Sequence, residues 1–148
     1  MQQDLDCFHI GVKGLVVADN GQMLLLKRQH PFKGLYWDIP GGRLQRRETL
    51  NEALFREVKE EIGLESMPRI EQFSMALTDI RVSVQNGDAG LIFSVFLIRV
   101  AKTFTPQLSS EHIHFEWCSL LEGSEKLKTR YPQEFLEKMK SLQTQVVP

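Results

Sequence analysis

Cysteine is nearly absent from this sequence. Cys7 and Cys118 are the only two in 148 residues, and neither has a histidine or second cysteine at zinc-ligand spacing. That density excludes a small disulfide-stapled scaffold, and two idle thiols are the expectation rather than one bridge. Long apolar runs are missing as well. The longest, Leu91 to Ile98, contains Ser94 and is far too short to cross a bilayer. Met1 to Asp6 has neither a basic start nor an apolar stretch, so no secretory signal is read there. An excess of one charge is also lacking: 18 Lys+Arg stand against 19 Asp+Glu, a formal net charge of −1. Neither a nucleic-acid polymer nor an anionic membrane is therefore expected as a partner. Any phosphate the chain handles has to be met by a local site. Repeats, low-complexity tracts and linker-like stretches do not occur, so residues 1–148 read as a single domain, with the cytoplasm as the expected compartment.

What is present is an ordinary globular composition, 42% hydrophobic and 25% charged, with clear local signals. His9 to Ala18 reads as a strand ending at the turn Asp19-Asn20-Gly21, and Met23 to Arg28 as its hairpin partner. Gln29 to Tyr36, with Pro31 and Gly34, reads as a loop. Trp37-Asp38-Ile39 is short and extended before Pro40-Gly41-Gly42. Thr49 to Ile62 is the clearest helix. Thr49 and Glu52 form a capping box, Leu50, Leu54, Val58 and Ile62 make one apolar stripe, and Gly63 suits a left-handed C-terminal cap. Arg69 to Arg81 is read as extended, Val82 and Val84 lead to a turn at Asn86-Gly87, and Leu91 to Val100 reads as a strand covered on both faces. Ile113 to Cys118 is one more strand. Pro132 opens a last helix carrying Phe135, Leu136, Met139 and Leu142 on one face. Mixed strands with one helix mid-chain and one at the end imply an α/β fold, a central mixed β-sheet between helices.

The chemistry is concentrated between Gly42 and Leu64. At about 100° per residue, Glu57 and Glu61 lie roughly 40° apart around the helix, with Glu60 about 60° from Glu57 on the other side. Three carboxylates thus crowd one turn beside the stripe of Leu50 and Leu54, where an unpaired charge is costly. Arg56 can offset part of this by pairing with Glu60 or Glu48. A hard divalent cation can offset the rest. Carboxylate oxygens alone favour Mg²⁺, Mn²⁺ or Ca²⁺ over zinc, and Mg²⁺ commonly shares its shell with phosphate oxygens. A short run such as Glu57 to Glu61, taken alone, would equally describe a solvated acidic helix face.

The whole pattern is more specific. It resembles the Nudix box, G-x5-E-x7-R-E-U-x-E-E-x-G-U with U aliphatic, and Gly42, Glu48, Arg56, Glu57, Val58, Glu60, Glu61, Gly63 and Leu64 fill every position. With each fixed residue at roughly 7% usage, a chance match is on the order of one in ten million. Trp37 to Gly42 resembles the strand and turn that commonly precede the box, and the order of elements fits the family's α/β/α sandwich.

The resemblance implies a MutT-like, Mg²⁺-dependent pyrophosphohydrolase, with Mn²⁺ as an alternative ion. Glu57, Glu60, Glu61 and the carbonyl of Gly41 would hold the metal that activates the attacking water. Glu57 or a distant carboxylate, for which Glu111 is the candidate, would take the proton. Arg56 belongs with the catalytic group, and Glu48 supports it by an ion pair that orients Glu57. Arg28 and Arg43 flank the expected cleft as phosphate-binding candidates. Trp37, with Tyr36 and Phe8, is a candidate for stacking on a base, although Trp37 also suits a core. His112 and His114, with no further soft ligand, are a poor zinc pair.

The substrate class is a nucleoside diphosphate linked to a further moiety, with a nucleoside triphosphate or modified nucleotide favoured by elimination. The proline that often marks ADP-ribose enzymes beyond the box is missing around Asp79, as is the tyrosine of dinucleoside polyphosphate enzymes. The alternative is a non-catalytic module of the same fold that senses a nucleotide. Such modules lose acidic residues of the box, and none is lost here. Oligomeric state is left open, a homodimer included.

Overall fold

A computed structural model describes residues 3–67 and 69–142; the ends of the expected 1–148 domain lie outside these. Seven strands and three helices follow one another as β1 (Phe8–Ala18), β2 (Met23–His30), β3 (Gly34–Asp38), β4 (Gly41–Arg43), α1 (Leu50–Ile62), β5 (Arg69–Val84), β6 (Gly87–Val100), β7 (His112–Cys118), α2 (Leu120–Leu127) and α3 (Gln133–Ser141). The sheet runs β3-β2-β1-β6-β5, with β4 against β1 and β7 against β2. Strands β1 and β6 are parallel, from Phe8↔Gly90 to Ala18↔Val100, and the other pairs are antiparallel.

Alternation along the strands sends side chains to two separate cores. Leu15 and Val17 of β1, with Phe93, Val95 and Leu97 of β6, meet Leu120 and Leu127 of α2 and Phe135, Leu136 and Met139 of α3. Val12 and Val16, with Phe96 and Ile98, meet Ala53, Leu54, Val58 and Ile62 of α1. Helices therefore cover both faces, as the α/β/α expectation required. The central strand β6 is apolar on both sides for this reason.

Helix α1 forms as its local signals dictate. Thr49 accepts from the Glu52 N–H at 3.1 Å while the Glu52 side chain accepts from the Thr49 N–H at 3.0 Å. Gly63 closes the other end at φ 72°, donating to the Lys59 carbonyl at 3.0 Å.

Two expectations need correction. The stretch 29–36 is not a loop: β2 continues to His30 and pairs with β3 from His30↔Gly34 to Leu26↔Asp38, leaving a tight hairpin tip. The Pro31 and Gly34 breakers occupy that tip rather than a long connection. Among the described residues there are also three helices, not two. The unforeseen α2 contains Gly123 and Ser124, poor helix formers. Its glycine is there for packing, since a Cβ at Gly123 would fall 2.1 Å from Met23 Sδ.

Strands β1 and β2 share only the pair Val17↔Met23. Past it, β1 takes β4 as partner and β2 takes β3 and β7. The two strands part, and the gap between them opens the site.

Candidate active site

The gap is a cavity of about 480 Å³ walled by α1 and β4 on one side and by β2, β3, the 109–111 turn and Arg130 on the other. Gly41, Gly42, Arg43, Arg56, Glu57, Glu60 and Glu61 all border it, as do Arg28 and Glu111. The box residues therefore face one space together with the two arginines and the distant glutamate chosen from sequence.

Backbone geometry sets the acidic wall. Gly41 sits at φ 150°, and a Cβ there would fall 2.1 Å from the Val12 carbonyl. A Cβ at Gly42 would stand 2.4 Å from Glu57 Oε1. These two positions lack side chains because β1 and Glu57 press against them. The Gly41 N–H donates to Glu61 Oε2 at 2.9 Å. Glu61 is 5% exposed, and burial pushes its carboxyl up to about 8, helped by the nearby Glu57 and Asp38 and opposed by Lys13 and the Gly41 N–H. Arg56 serves the others. It reaches Glu48 at 2.6 and 2.9 Å, Glu57 at 2.5 Å and Glu60 at 3.6 Å. Glu48 is held in turn by the Gln45 N–H at 2.7 Å. The expected support of Glu57 through Arg56 and Glu48 has this geometry.

The three glutamates do not, however, converge on one point. Glu57 is drawn to Arg56, Glu61 to the Gly41 amide, and Glu60 is largely exposed. Among the described residues no three His, Cys, Asp or Glu side chains form a group spaced to hold an ion. The donor set nevertheless suits a hard divalent cation. Glu61 is a buried carboxyl whose one hydrogen bond among the described residues comes from a backbone amide, next to Glu57, which shares Arg56 with Glu48 and Glu60.

Five other sequence candidates land away from the acidic wall or beyond the cavity. Trp37 lies outside the cavity wall, packed against the α2–α3 core with Lys126 4.8 Å over its ring. Strand alternation turns its neighbour Tyr36 inward instead. Phe8 lies over Gly90 at the far end of β1. His112 is buried beside Ser109, 3.3 Å away, and His114 packs near Trp37. Cys7 and Cys118 are both free thiols.

Several polar residues in or directly behind the cavity wall escaped the sequence reading. Asp38 is fully buried and takes Lys13 at 3.0 Å, the Tyr131 hydroxyl at 2.6 Å, the Ile39 N–H at 2.8 Å and Arg130 at 3.4 Å. Burial would raise its carboxyl, but Lys13, Arg130 and the Tyr131 hydrogen bond outweigh this and hold it below the usual range. Lys13, Lys33 and Arg130 line the space, beside Tyr36, which the sequence had offered as a stacking candidate. A lysine inside the apolar run of β1 was the one available signal.

The family model of the NUDIX domain matches residues 8–139. An ADP-ribose pyrophosphatase of Methanocaldococcus jannaschii is 33% identical over 89 residues, 60% of this chain and 48% of its own length. A MutT-like protein of Streptomyces ambofaciens is 28% identical over 128 residues, 86% of this chain and 75% of its own. The chain thus spans about half of the first relative. Among solved structures, a MutT protein from Methanosarcina mazei Go1 superposes with a TM-score of 0.66 at 27% identity, covering 97% of this chain and 98% of that one.

Proposed function

Because the chain belongs to the Nudix family, we propose that residues 1–148 act as a Mg²⁺-dependent pyrophosphohydrolase domain. It would cut a phosphoanhydride bond in a nucleoside diphosphate linked to a further moiety, with a nucleoside triphosphate or a modified nucleotide as the favoured substrate. The observation that carries this reading is the buried Glu61 carboxyl, which shares one wall of the cavity with Glu57 and Glu60. An uncompensated carboxylate is costly to bury, and a divalent cation is the partner that this donor set suits.

Glu57, Glu60 and Glu61, with the Gly41 backbone, are the groups that would hold Mg²⁺ or Mn²⁺. The ion, when bound, would neutralise diphosphate charge and lower the pKa of a bound water. The chain's own residues do the rest. Arg56 fixes Glu57 at 2.5 Å and is itself fixed by Glu48, so the carboxylate is preorganised rather than free to swing. Glu57 is engaged in that contact, whereas Glu111 keeps only a loose 3.7 Å contact with Arg28 and stays open to solvent. We therefore assign proton acceptance from the attacking water to Glu111 and positioning to Glu57. Arg28 and Arg43 would grip phosphate oxygens as the bond breaks.

Among the described residues no helix is long and apolar enough to span a membrane. A small nucleotide is the partner that the cavity volume admits. The decisive experiment is a panel of nucleoside triphosphates, oxidised nucleotides, ADP-ribose and nucleotide sugars with Mg²⁺ or Mn²⁺, identifying both products. Full turnover in excess chelator would refute the metal-centred reading.

A further inference from the structure

Glu111 stands on a tight turn that is fastened from behind the cavity wall. The turn runs from Ser109 to His112, where β7 begins, and the His112 N–H donates to the Ser109 carbonyl at 3.2 Å. From β2, the Gln29 N–H donates to the Glu111 carbonyl at 3.2 Å. The Ser109 hydroxyl and His112 Nδ1 lie 3.3 Å apart, a hydrogen bond whose direction the histidine tautomer sets. Ser109, Ser110 and Glu111 border the cavity, whereas the His112 side chain sits behind them, 7% exposed.

A bulge in β7 brings His112 to this place. Lys27 pairs with His114 but Arg28 pairs with His112, so Ile113 is an extra residue without a partner on β2. One extra residue reverses the alternation of the strand. His112 therefore shares a face with Arg28, while His114 stays exposed near Trp37 and Ile113 is left half exposed. Without the bulge, His112 would point with His114 to the outer face, and Ser109 would lose its partner. Among the described residues no other side-chain hydrogen bond fastens the turn. The Glu111 side chain, 56% exposed, has only its 3.7 Å contact with Arg28. A carboxylate on a loose turn would sweep, and a misplacement of about 1 Å can cost about a hundredfold in rate.

We infer that Ser109 and His112 are positioning residues for Glu111: their side-chain pair keeps the turn closed, so that the carboxylate stays over the cavity beside Arg28. This rests on the hydrolase reading given above, in which Glu111 takes the proton of the attacking water. Two separate devices then prepare the site. Arg56 fixes Glu57 on the box helix, and the bulged start of β7 fixes the proton acceptor through His112. The histidine that makes a poor zinc pair with His114 thus has a task that needs no metal.

Two measurements test it. With a nucleoside triphosphate and Mg²⁺, Ser109→Ala should lower kcat about three- to tenfold and leave KM within about twofold. Ser109→Thr, which keeps the hydroxyl, should restore the rate. His112→Leu should cost about tenfold or more, with His112→Asn in between; the Ser109 variants keep the test valid if the buried histidine cannot be replaced without unfolding. Added to Glu111→Gln, Ser109→Ala should change kcat by less than about twofold, because the group it positions is already gone. Losses that multiply, or a full rate in Ser109→Ala, overturn the inference. The second measurement needs no turnover: ¹⁵N relaxation of the Ser110 and Glu111 amides in the metal-free chain. Their order parameters should be about 0.8 in wild-type and fall below about 0.6 in Ser109→Ala. Equal order in the two proteins overturns the inference as well. If no nucleotide is turned over while the turn loosens as expected, the hydrolase reading fails and the fastening of Glu111 stands.

Discussion

Replacing Glu61 with glutamine should stabilise the metal-free protein at neutral to alkaline pH. The Glu61 carboxyl is raised from an ordinary 4.5 to about 8, chiefly by burial. Between those two values the folded chain holds a proton that the unfolded chain has released. Stability must therefore fall as pH rises through this window and level off above it. At 1.36 kcal/mol per pH unit, the rise sets a ceiling of about 5 kcal/mol. Relaxation and water entry around the charged form reduce the expected loss to roughly 2–3 kcal/mol. In Glu61→Gln the amide oxygen would still accept from the Gly41 N–H, which donates to Glu61 at 2.9 Å, but there would be no charge to desolvate. Urea unfolding in chelator at pH 5 and pH 8.5 measures the difference. Wild-type should lose stability between the two, relative to Glu61→Gln, by at least about 2 kcal/mol. Other titrating groups are common to both proteins and cancel. Mg²⁺ should restore much of the loss in wild-type and little in the variant, while the variant loses most of its hydrolytic activity. Parallel pH profiles for the two proteins would refute the claim that Glu61 is buried without adequate counter-charge.

Glu111→Gln should lower kcat about a hundredfold with a small change in KM if this carboxylate takes the proton; an unchanged rate would return it to an exposed loop residue. Gly42→Ala should barely change the urea midpoint, because the atoms met first belong to the end of the Glu57 side chain. It should nonetheless reduce kcat at least tenfold by displacing that carboxylate, and an active variant would show that Glu57 need not be held where it is. Asp38→Asn should cost about 3 kcal/mol by leaving Lys13 and Arg130 without their buried partner, read from urea unfolding at pH 7. Asp38 is held below its usual value, so its contribution is present above about pH 4 and lost as pH falls through the lowered value. Asp38→Asn should accordingly unfold with a shallower acid limb than wild-type.

The sequence by itself determined what is decided over a few residues. The capping box, the apolar stripe and the left-handed stop of α1 involve side chains one turn apart, so that helix and the angular cluster of Glu57, Glu60 and Glu61 were legible, as was the pairing of Arg56 with Glu48 and Glu60. The α/β/α layering was legible too, because strand and helix periodicities announce which faces need covering. Tertiary structure decided everything that depends on distant segments meeting. Tyr131 reaches Asp38 across 93 positions, and Arg130 comes to lie on Tyr36 only because α2, a helix its glycine hid, ends beside β3. The parting of β1 and β2 that opens the cavity has no local signature either. That is why the acidic wall could be read from the chain as a string, while the basic wall facing it, and the inward turn of Tyr36 in place of Trp37, could not.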